Sequence, residues 1–387
     1  MRRFSVEKGV KRLFDGLVTS PQRRVLVIDG HYPNPTRDSG SLDAINYIGW
    51  FRRLGYGVDF LALQGTGEWR RARHAWMAGA RIVPASRLAD TARFTREAAN
   101  DYDVLFLTRV HQGGAWSEAL AAAGPAVQIF NTVDLHHLRE RRHAELQGDA
   151  AALEAAEATR AKELDLVARA KITIVVSEYE AGLLRSACPE ATVWTMPLYR
   201  EIARDVPGFE ARRGLGMVAG FAHPPNCDAL VFFLDEVWPE LRRRAPEMSF
   251  SVAGMGLPPK IRNRLPDGVS YAGHVKDLDK WLRGLRLTVA PLRFGSGAKG
   301  KVVSSLSAGV PVVGTPVAFE GMSLPESAYE VAENGSDLAD RILRVHDDPE
   351  AWAGMSAAGH AYTRQNVSVE AGLERFRAYM IGAGLAR

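Results

Sequence analysis

The sequence predicts an α/β protein built from two doubly wound domains. Short apolar segments alternate with helical patterns along most of the chain, and this alternation is typical of parallel sheets covered by helices. The series is interrupted at residues 196–216, a stretch with several Pro and Gly residues and few apolar runs. With 387 residues, the chain is long enough for each half to bury a core of its own.

The first series of strands begins at residues 24–28, an apolar run followed by a polar Gly/Pro loop and a helical pattern at 42–54. Further strands are predicted at 58–63, 104–107, 127–130 and 172–176, and helices at 86–99 and 149–168. The last helix is rich in Ala, Glu and Arg and lacks Gly and Pro, so we expect it to be exposed and structural.

The second series of strands is predicted at 217–221, 250–253, 269–271, 285–290 and 310–314, again with helices between them. We therefore expect an N-terminal domain at 1–200, a linker at 201–216, a second domain at 217–365 and a C-terminal helix at 366–387 that packs back toward the N-terminal domain. Ligands of such sheets bind beyond the carboxyl ends of the strands, so a cleft between the domains is the expected site.

Composition and charge favour a globular protein without a nucleic-acid role. Hydrophobic residues make up 46% of the chain, and the net charge of +4 arises in the first 200 residues, where 27 Lys and Arg face 23 Asp and Glu. Basic residues cluster with large apolar ones at 2–4, 11–14, 50–53 and 69–71, a mixture that suits an anionic membrane surface or an ordinary amphipathic helix. Neither a zinc spacing nor an RNA-recognition signature is present.

The cysteines and the lack of long apolar runs indicate the compartment. Cys188 and Cys227 are too isolated for a disulfide framework or a metal site, which fits a reducing environment. The basic N-terminus has no continuous apolar region, and no later segment reaches the length of a transmembrane helix. We expect a cytoplasmic protein, with peripheral contact at the inner face of an anionic membrane as a hypothesis.

A glycine- and lysine-containing loop within residues 289–322 carries the strongest functional signal. The segment reads as a strand, a loop with Lys299 and Lys301, a short helix and a second buried strand. Gly295, Gly297 and Gly300 let successive backbone N–H groups converge on an anion at the start of the helix, and the lysines add positive charge. The pattern indicates a phosphate site, for which the diphosphate of a nucleotide leaving group is a natural occupant.

Two familiar motifs overlap this loop, and neither fits it fully. The dinucleotide-binding fingerprint needs an acidic residue at the end of the following strand, where Thr315 stands. The P-loop spacing is present at residues 295–301, but Val302 occupies the position of the hydroxyl that holds magnesium. A glycine-rich turn without a ligand is the other alternative, and two lysines beside three glycines favour the phosphate site over it.

Several segments together resemble the retaining glycosyltransferases of the GT-B fold, specifically the large family-four group that acts on bacterial surface glycans. The similarity spans nearly the whole chain. Its most specific pieces are HPPN at 223–226, AG at 253–254, YAGHV at 271–275 and residues 290–322. Residues 29–41 resemble the first glycine-containing loop of the family, and IFNTVDLH at 129–136 resembles the loop that faces the transferred sugar. The resemblance implies two Rossmann-like domains facing an interdomain cleft.

The resemblance also implies an activity: transfer of a sugar from a nucleotide-diphosphate sugar to a hydroxyl of a glycan or lipid-linked acceptor, with retention of configuration. Lys299 and Lys301 would neutralise the leaving diphosphate, and Asp134 or His136 would face the sugar. The expected donor-binding residues are His223, Asn226, His274, Val275, Arg293, Gly295, Gly297, Ser304 and Glu320, and those on the acceptor side are Gly40 and Arg109. Several of these residues have an alternative structural interpretation, as part of a turn, as a helix cap or as surface charge.

The chain departs from the family pattern at two places. Family members often carry two glutamates in the final loop and helix, and here Ser296 and Ser304 stand at both positions. The second glutamate usually pairs with the nucleotide ribose, and a hydroxyl is a weaker, uncharged replacement; Glu320 could supply a carboxylate instead. The family's sugar-facing histidine is also displaced, since Asp134 occupies its position, with His136 two residues later.

We expect neither a cofactor nor an obligatory metal. Asp101 and Asp103 have the DxD spacing of another glycosyltransferase fold, but they precede a strand, whereas a metal ligand should project from a strand's carboxyl end. Two alternative functions stay open. One is a sugar-nucleotide epimerase or phosphorylase on the same fold, and the other is a non-catalytic nucleotide-sugar-binding subunit, which loss of both glutamates would permit.

Overall fold

The structure, a computed structural model, describes residues 23–35, 39–64 and 69–387. Two parallel sheets covered by helices confirm the predicted α/β class and the two doubly wound units. The basic and aromatic clusters predicted at residues 2–4 and 11–14 lie outside the described residues, as do residues 36–38 of the first glycine-containing loop and the side chains of Trp69 and Arg70.

The first sheet has seven parallel strands in the order β3-β2-β1-β4-β5-β6-β7. The strands are β1 (Arg23–Asp29), β2 (Tyr56–Ala62), β3 (Arg81–Val83), β4 (Val104–Thr108), β5 (Val127–Asn131), β6 (Ile172–Val175) and β7 (Val193–Thr195). The helices are α1 (Ser39–Arg53), α2 (Trp69–Met77), α3 (Thr91–Asp101), α4 (Ser117–Ala123), α5 (His136–Gln147), α6 (Ala150–Arg169) and α7 (Glu178–Ala187). Every residue of the central strand β4 is buried, as expected for a parallel sheet between two helical layers.

The second sheet has six parallel strands in the order β10-β9-β8-β11-β12-β13. The strands are β8 (Arg213–Val218), β9 (Phe250–Ala253), β10 (Val269–Gly273), β11 (Leu285–Ala290), β12 (Val312–Gly314) and β13 (Tyr329–Val331). The α-helices are α8 (Pro224–Phe232), α9 (Trp238–Arg244), α10 (Pro259–Arg262), α11 (Leu278–Arg283), α12 (Gly300–Ser307), α13 (Pro316–Phe319), α14 (Gly335–Asp347), α15 (Pro349–Asn366) and α16 (Val369–Gly382).

The structure differs from the predicted strands at four places. Strands β3, β7 and β13 were missed because each is three residues long, too short for a period of two to be visible. Strand β8 begins at Arg213, inside residues 201–216 that we expected to be linker. Gly216 suggested a loop there, yet a Cβ at this position would come within 2.2 Å of the Leu285 side chain, so the glycine serves close packing within the sheet.

Helix α6 was predicted to be exposed, and this prediction is wrong for one of its faces. Ala156, Thr159, Glu163, Leu166 and Val167 are buried. The Ala-rich composition concealed this face because Thr and Glu interrupt the apolar stripe. Glu163 tolerates complete burial because its carboxylate accepts hydrogen bonds from backbone N–H groups at the start of α5.

The chain crosses between the domains twice, and the crossings meet at Arg200. The Arg200 N–H donates to the Val367 carbonyl at 2.9 Å. After the second crossing, α16 packs on the first domain, where the Phe376 ring centroid lies 5.0 Å from that of Phe51 in α1. The two sheets are therefore joined at one end, and the carboxyl ends of their strands face each other.

Candidate active site

A cleft of about 640 Å³ lies between the carboxyl ends of the two sheets. Nearly all of the residues predicted for the site line it: Gly40, Arg109, Asp134, His136, His223, Asn226, His274, Val275, Gly295, Lys299, Lys301 and Ser304. They follow the ends of β1, β4 and β5 in the first domain and of β8, β10 and β11 in the second. Parallel strands bring the loops at their carboxyl ends to one edge, which explains why distant segments meet here.

The glycine-containing loop after β11 leads into the N-terminus of α12. Gly297 has a φ of 65° and Gly295 a φ of 149°, a region that other residues rarely adopt. The first N–H groups of α12 have no partners within the helix, and the helix dipole places partial positive charge there. This N-terminus faces the cleft beside Lys299 and Lys301, and the arrangement favours an anion.

The two lysines hydrogen-bond to neutral oxygens. Lys299 Nζ donates to the Ser296 carbonyl at 3.1 Å and to the Gly297 carbonyl, and Lys301 Nζ donates to Asn226 Oδ1. Burial lowers the pKa of Lys299 to about 8. Burial, with the charge of Lys299 adding to it, lowers the pKa of Lys301 to about 7. The carboxylates of Glu320, Glu180 and Asp134 offset only part of the effect of burial on Lys299. A bound dianion would raise both pKa values, because it would add negative charge beside the two ammonium groups.

Asp134 faces the lysine loop from the opposite domain. Its carboxylate accepts a hydrogen bond from Ser296 Oγ at 2.7 Å and pairs with the Arg139 guanidinium. Burial opposes ionisation of Asp134, but the positive charge of Arg139 outweighs it and holds the pKa of the carboxyl well below its usual value. Asp134 is therefore a fixed negative charge at the wall of the cleft.

Two buried glutamates that the sequence analysis missed hold the loop carrying Asp134 and His136. The N–H groups of His136 and His137 donate to Glu163 at 2.9 and 3.0 Å, and the Leu135 N–H donates to Glu180 at 2.9 Å. Both carboxyl groups are 0% exposed. Burial raises the pKa of Glu180 to about 7, although the bond from Leu135 counteracts part of this effect.

A local signal for Glu180 exists in the sequence. Ser177 and Glu180 have the spacing of a capping box, and Ser177 Oγ accepts the Glu180 N–H at 3.2 Å. The motif predicts a helix start, but it does not predict that the glutamate turns toward Leu135 in another loop. Glu163 lies in the middle of α6 and has no comparable local signal.

The second domain also contributes His223, Asn226 and His274 to the lining of the cleft. Burial lowers the pKa of His223 to about 4, so its imidazole is neutral at physiological pH. Asn226 Nδ2 donates to the Gly220 carbonyl at 2.8 Å, which orients its amide oxygen toward Lys301. Ser304 presents a hydroxyl to the cleft, and the carboxylates among the described lining residues belong to Asp43 and Asp134.

Three predicted donor-binding residues are not among the described residues that line the cleft. Arg293 pairs with Asp228, at 2.9 Å between Nε and Oδ2. The Glu320 carboxylate accepts two bonds from Arg142 of the first domain, both 2.8 Å long. Gly297 packs against the first domain, where a Cβ would come 3.1 Å from that of Asp134.

Metal ligands and membrane spans were sought in the same part of the chain. Among residues 23–35, 39–64 and 69–387, no three side chains of His, Cys, Asp or Glu are grouped to hold a metal ion. Asp103, of the DxD spacing, lies before β4 and accepts the Arg24 N–H at 2.7 Å. None of the described helices has the length and apolarity needed to span a bilayer. Cys188 and Cys227 are free thiols.

Comparison with known proteins connects this geometry to a family. Residues 212–348 match the family model of glycosyl transferases group 1. Sucrose-phosphate synthase from Thermosynechococcus elongatus has a similar structure, with a TM-score of 0.72 at 15% identity over 93% of this chain and 99% of that chain.

A second similar structure is Anabaena HepE in complex with UDP and glucose, with a TM-score of 0.69 at 12% identity over 93% of this chain and 99% of that chain. No curated protein sequence shows significant similarity to the chain. Identities this low establish the fold alone. Residues 212–348 therefore match a group 1 glycosyltransferase domain, and the chain as a whole has the two-domain fold of the GT-B glycosyltransferases.

Proposed function

We propose that this protein is a glycosyltransferase that moves a hexose from a nucleotide-diphosphate sugar to an acceptor hydroxyl, with retention of anomeric configuration. The observation that carries the proposal is the pair of lysines at the N-terminus of α12, Lys299 buried and Lys301 half-buried, which hydrogen-bond to neutral oxygens. Buried ammonium groups are costly without a counter-charge, and a diphosphate supplies one. The family match at residues 212–348 supports the same conclusion.

The proposed reaction is a substitution on one face of the sugar. The bond between the anomeric carbon and the donor phosphate oxygen breaks, and the leaving diphosphate is stabilised by Lys299, Lys301 and the N–H groups at the start of α12. The acceptor oxygen forms the new bond on the same face, and its proton passes to the departing phosphate oxygen. No protein nucleophile is needed, and no step requires a metal.

Asp134 supplies the carboxylate beside the transferred sugar. Ser296 occupies the position of the first family glutamate, and its Oγ lies 2.7 Å from the Asp134 carboxylate. The first domain thus brings a negative charge to the place where the second domain lacks one. In this proposal the Asp134 carboxylate accepts a hydrogen bond from a sugar hydroxyl and stabilises the positive charge that develops at the anomeric carbon. His136 borders the same subsite.

Calorimetric titration with UDP, GDP, ADP and CMP tests the donor site, with Lys299→Ala as the variant and Lys280→Ala as the matched control. Lys280 is exposed on α11 and does not line the cleft. We expect selective binding of one diphosphate by the wild type and Lys280→Ala. Turnover should fall by about 10²- to 10³-fold in Lys299→Ala, the usual effect of removing a preorganised oxyanion donor. A Lys299→Ala variant with normal turnover would refute the assignment.

Retention and metal independence have tests of their own. NMR of the product before anomeric equilibration distinguishes retention from inversion. Transfer should continue in EDTA, and complete loss of activity that magnesium or manganese restores would contradict the metal-free reaction. Product analysis without an added acceptor would reveal an epimerase or phosphorylase instead.

We infer that the acceptor is a lipid-linked saccharide of a surface polysaccharide or glycolipid, met at an anionic membrane on the cytoplasmic side. Helix α2 supports this inference, because it exposes Arg73 together with Trp76, which is 53% exposed, and Met77, which is 72% exposed. Sedimentation with phosphatidylglycerol vesicles at low salt should capture the wild type more than a Trp76→Ser variant. Equal sedimentation with neutral phosphatidylcholine vesicles would argue against an electrostatic contact.

A non-catalytic nucleotide-sugar-binding subunit is the second candidate function. The observation in its favour is the serine at each of the two family glutamate positions, 296 and 304. Nucleotide binding without transfer, together with co-purification of an active transferase, would support this candidate.

A further inference from the structure

Arg142 of the first domain reaches across the mouth of the cleft to the second domain. Its guanidinium donates to both Glu320 oxygens at 2.8 Å and to the Gly295 carbonyl at 2.7 Å. Tyr179 OH accepts a further bond at 3.2 Å. The Arg142 side chain is 20% exposed and that of Glu320 is 24% exposed, so both charged groups are largely shielded from solvent. A two-pronged Arg–carboxylate pair fixes the plane of the guanidinium as well as its position.

The bond to the Gly295 carbonyl connects Arg142 to the phosphate loop. Gly295 has a φ of 149°, and Gly297, two residues later, has a φ of 65°. A short loop with two such conformations has several accessible shapes, because glycine adopts many backbone angles at low cost. Holding one carbonyl orients the adjacent peptide planes, and these planes carry the N–H groups that lead into α12.

A second contact from helix α5 lies next to the bond between Arg142 and the Gly295 carbonyl. The imidazole of His143, the next residue of α5, stacks on the Phe294 ring with centroids 4.6 Å apart and an interplanar angle of 13°. Arg142 and His143, which are consecutive in α5, therefore contact Gly295 and Phe294, which are consecutive at the start of the phosphate loop. Arg141, one position earlier, points elsewhere and pairs with Glu145 of its own helix at 2.8 Å.

We propose that Arg142 is a positioning residue: it holds the Gly295 carbonyl and thereby shapes the phosphate loop, while Glu320 holds Arg142. The loop then owes its anion-binding shape to contacts made from the first domain, so the assistance given to the departing diphosphate depends on both domains. Glu320 in this role orients Arg142 and does not bind the nucleotide. The inference rests on the proposed function for its catalytic consequence, but the shape of the loop can be measured without any ligand.

Hydrogen exchange of the full-length protein without ligand tests the shape of the loop directly. The variants are Arg142→Met, Glu320→Gln and the matched control Arg141→Met. In Arg142→Met, amides at residues 296–300 should exchange about ten- to a hundredfold faster than in the wild type, the effect of losing one charge-assisted bond to a local structure. Glu320→Gln should show a smaller increase, and Arg141→Met none. Amides of β9 report whether the second domain remains folded.

A charge-swapped double variant, Arg142→Glu with Glu320→Arg, separates positioning from a simple ion pair. It restores opposite charges across the cleft, but a glutamate at 142 cannot donate to the Gly295 carbonyl. Protection of residues 296–300 should stay low in this variant. Full recovery of protection, or wild-type protection in Arg142→Met, would overturn the proposal.

Titration with UDP, GDP and ADP then tests the catalytic consequence. Arg142→Met should weaken binding of the selected diphosphate about tenfold and lower turnover further, whereas Arg141→Met should match the wild type. If the wild type bound no diphosphate, the proposed function would fail, and the exchange data would still decide whether Arg142 shapes the loop. Unchanged binding and turnover in Arg142→Met would overturn its assignment as a positioning residue.

Discussion

Diphosphate binding should be accompanied by proton uptake, since Lys299 and Lys301 have lowered pKa values in the free protein. The pKa is about 8 for Lys299 and about 7 for Lys301. At pH 8, Lys299 is then about half protonated and Lys301 about one-tenth protonated, while the phosphates of a free nucleoside diphosphate are already ionised. A bound dianion favours both ammonium forms, so binding should take up about 1.4 protons, 0.5 at Lys299 and 0.9 at Lys301.

The same linkage makes affinity fall as pH rises. Raising the pH from 8 to 9 should weaken binding about 50-fold, because both lysines must acquire a proton before the full attraction is available. The assay is calorimetry of the preferred diphosphate in buffers with different ionisation enthalpies, where the dependence of the observed heat on buffer enthalpy gives the number of protons.

The lysine variants divide the proton uptake between the two sites. Lys301→Met should reduce uptake at pH 8 to about 0.5, and Lys299→Met should reduce it to at most 0.9, or less where removal of the Lys299 charge lets the pKa of Lys301 rise. Lys280→Met, the exposed control on α11, should leave it unchanged. Uptake near zero in the wild type at pH 8 would refute the reasoning, because it would mean that the lysines are already charged in the free protein.

Three further predictions concern stability and the loops. At Lys299 and Lys301 the unfolded chain binds more protons than the folded one between about pH 7 and 10.5, so these two groups should make the free energy of unfolding rise with pH in this window. Urea titrations at pH 7 and 9 should therefore show a smaller rise in Lys301→Met than in the wild type. Burial raises the pKa of Glu180 to about 7, so its favourable contribution to stability is lost as the pH rises through about 7. Glu180→Gln should therefore raise the melting temperature at pH 8 but not at pH 5. The exposed control Glu178→Gln should leave the melting temperature unchanged at both pH values. Gly297→Ala should lower the free energy of unfolding by about 1–2 kcal/mol, because Gly297 has a φ of 65°. The variant should also bind the diphosphate more weakly. Wild-type affinity would contradict the close packing of Gly297 on Asp134.

Local sequence patterns predicted much of the fold and of the second-domain site. Strand-helix alternation predicted the two doubly wound units, and the spacing of Gly295, Gly297, Lys299 and Lys301 predicted a single loop, of which Gly295, Lys299 and Lys301 line the cleft. These residues are neighbours in the chain, so their proximity in space needs little beyond one loop and one helix start. Three of the four described three-residue strands and the start of β8 escaped prediction, because short segments have no visible period and a packed glycine resembles a loop glycine.

Contacts across the cleft had no comparable signal. Ser296 is 162 residues from Asp134, and Glu320 is 178 residues from Arg142, yet each pair forms a hydrogen bond. The sequence analysis assigned Glu320 to the donor and did not single out Arg142, because an exposed glutamate and a glutamate paired across domains look alike in a sequence. Glu163 was hidden for the same reason, in a helix that composition indicated to be exposed.

The sequence by itself determined the α/β class, the two doubly wound units and the glycine loop that carries both lysines, because these follow from periodicity and from backbone chemistry within a few residues. Only the tertiary structure decided which carboxylates are buried, which cations they meet and how far the pKa values of Lys299, Lys301 and Glu180 move. The physical reason is that burial and electrostatic interaction depend on the distance between groups brought together by folding, and two domains that face each other across a cleft create distances that no local pattern records.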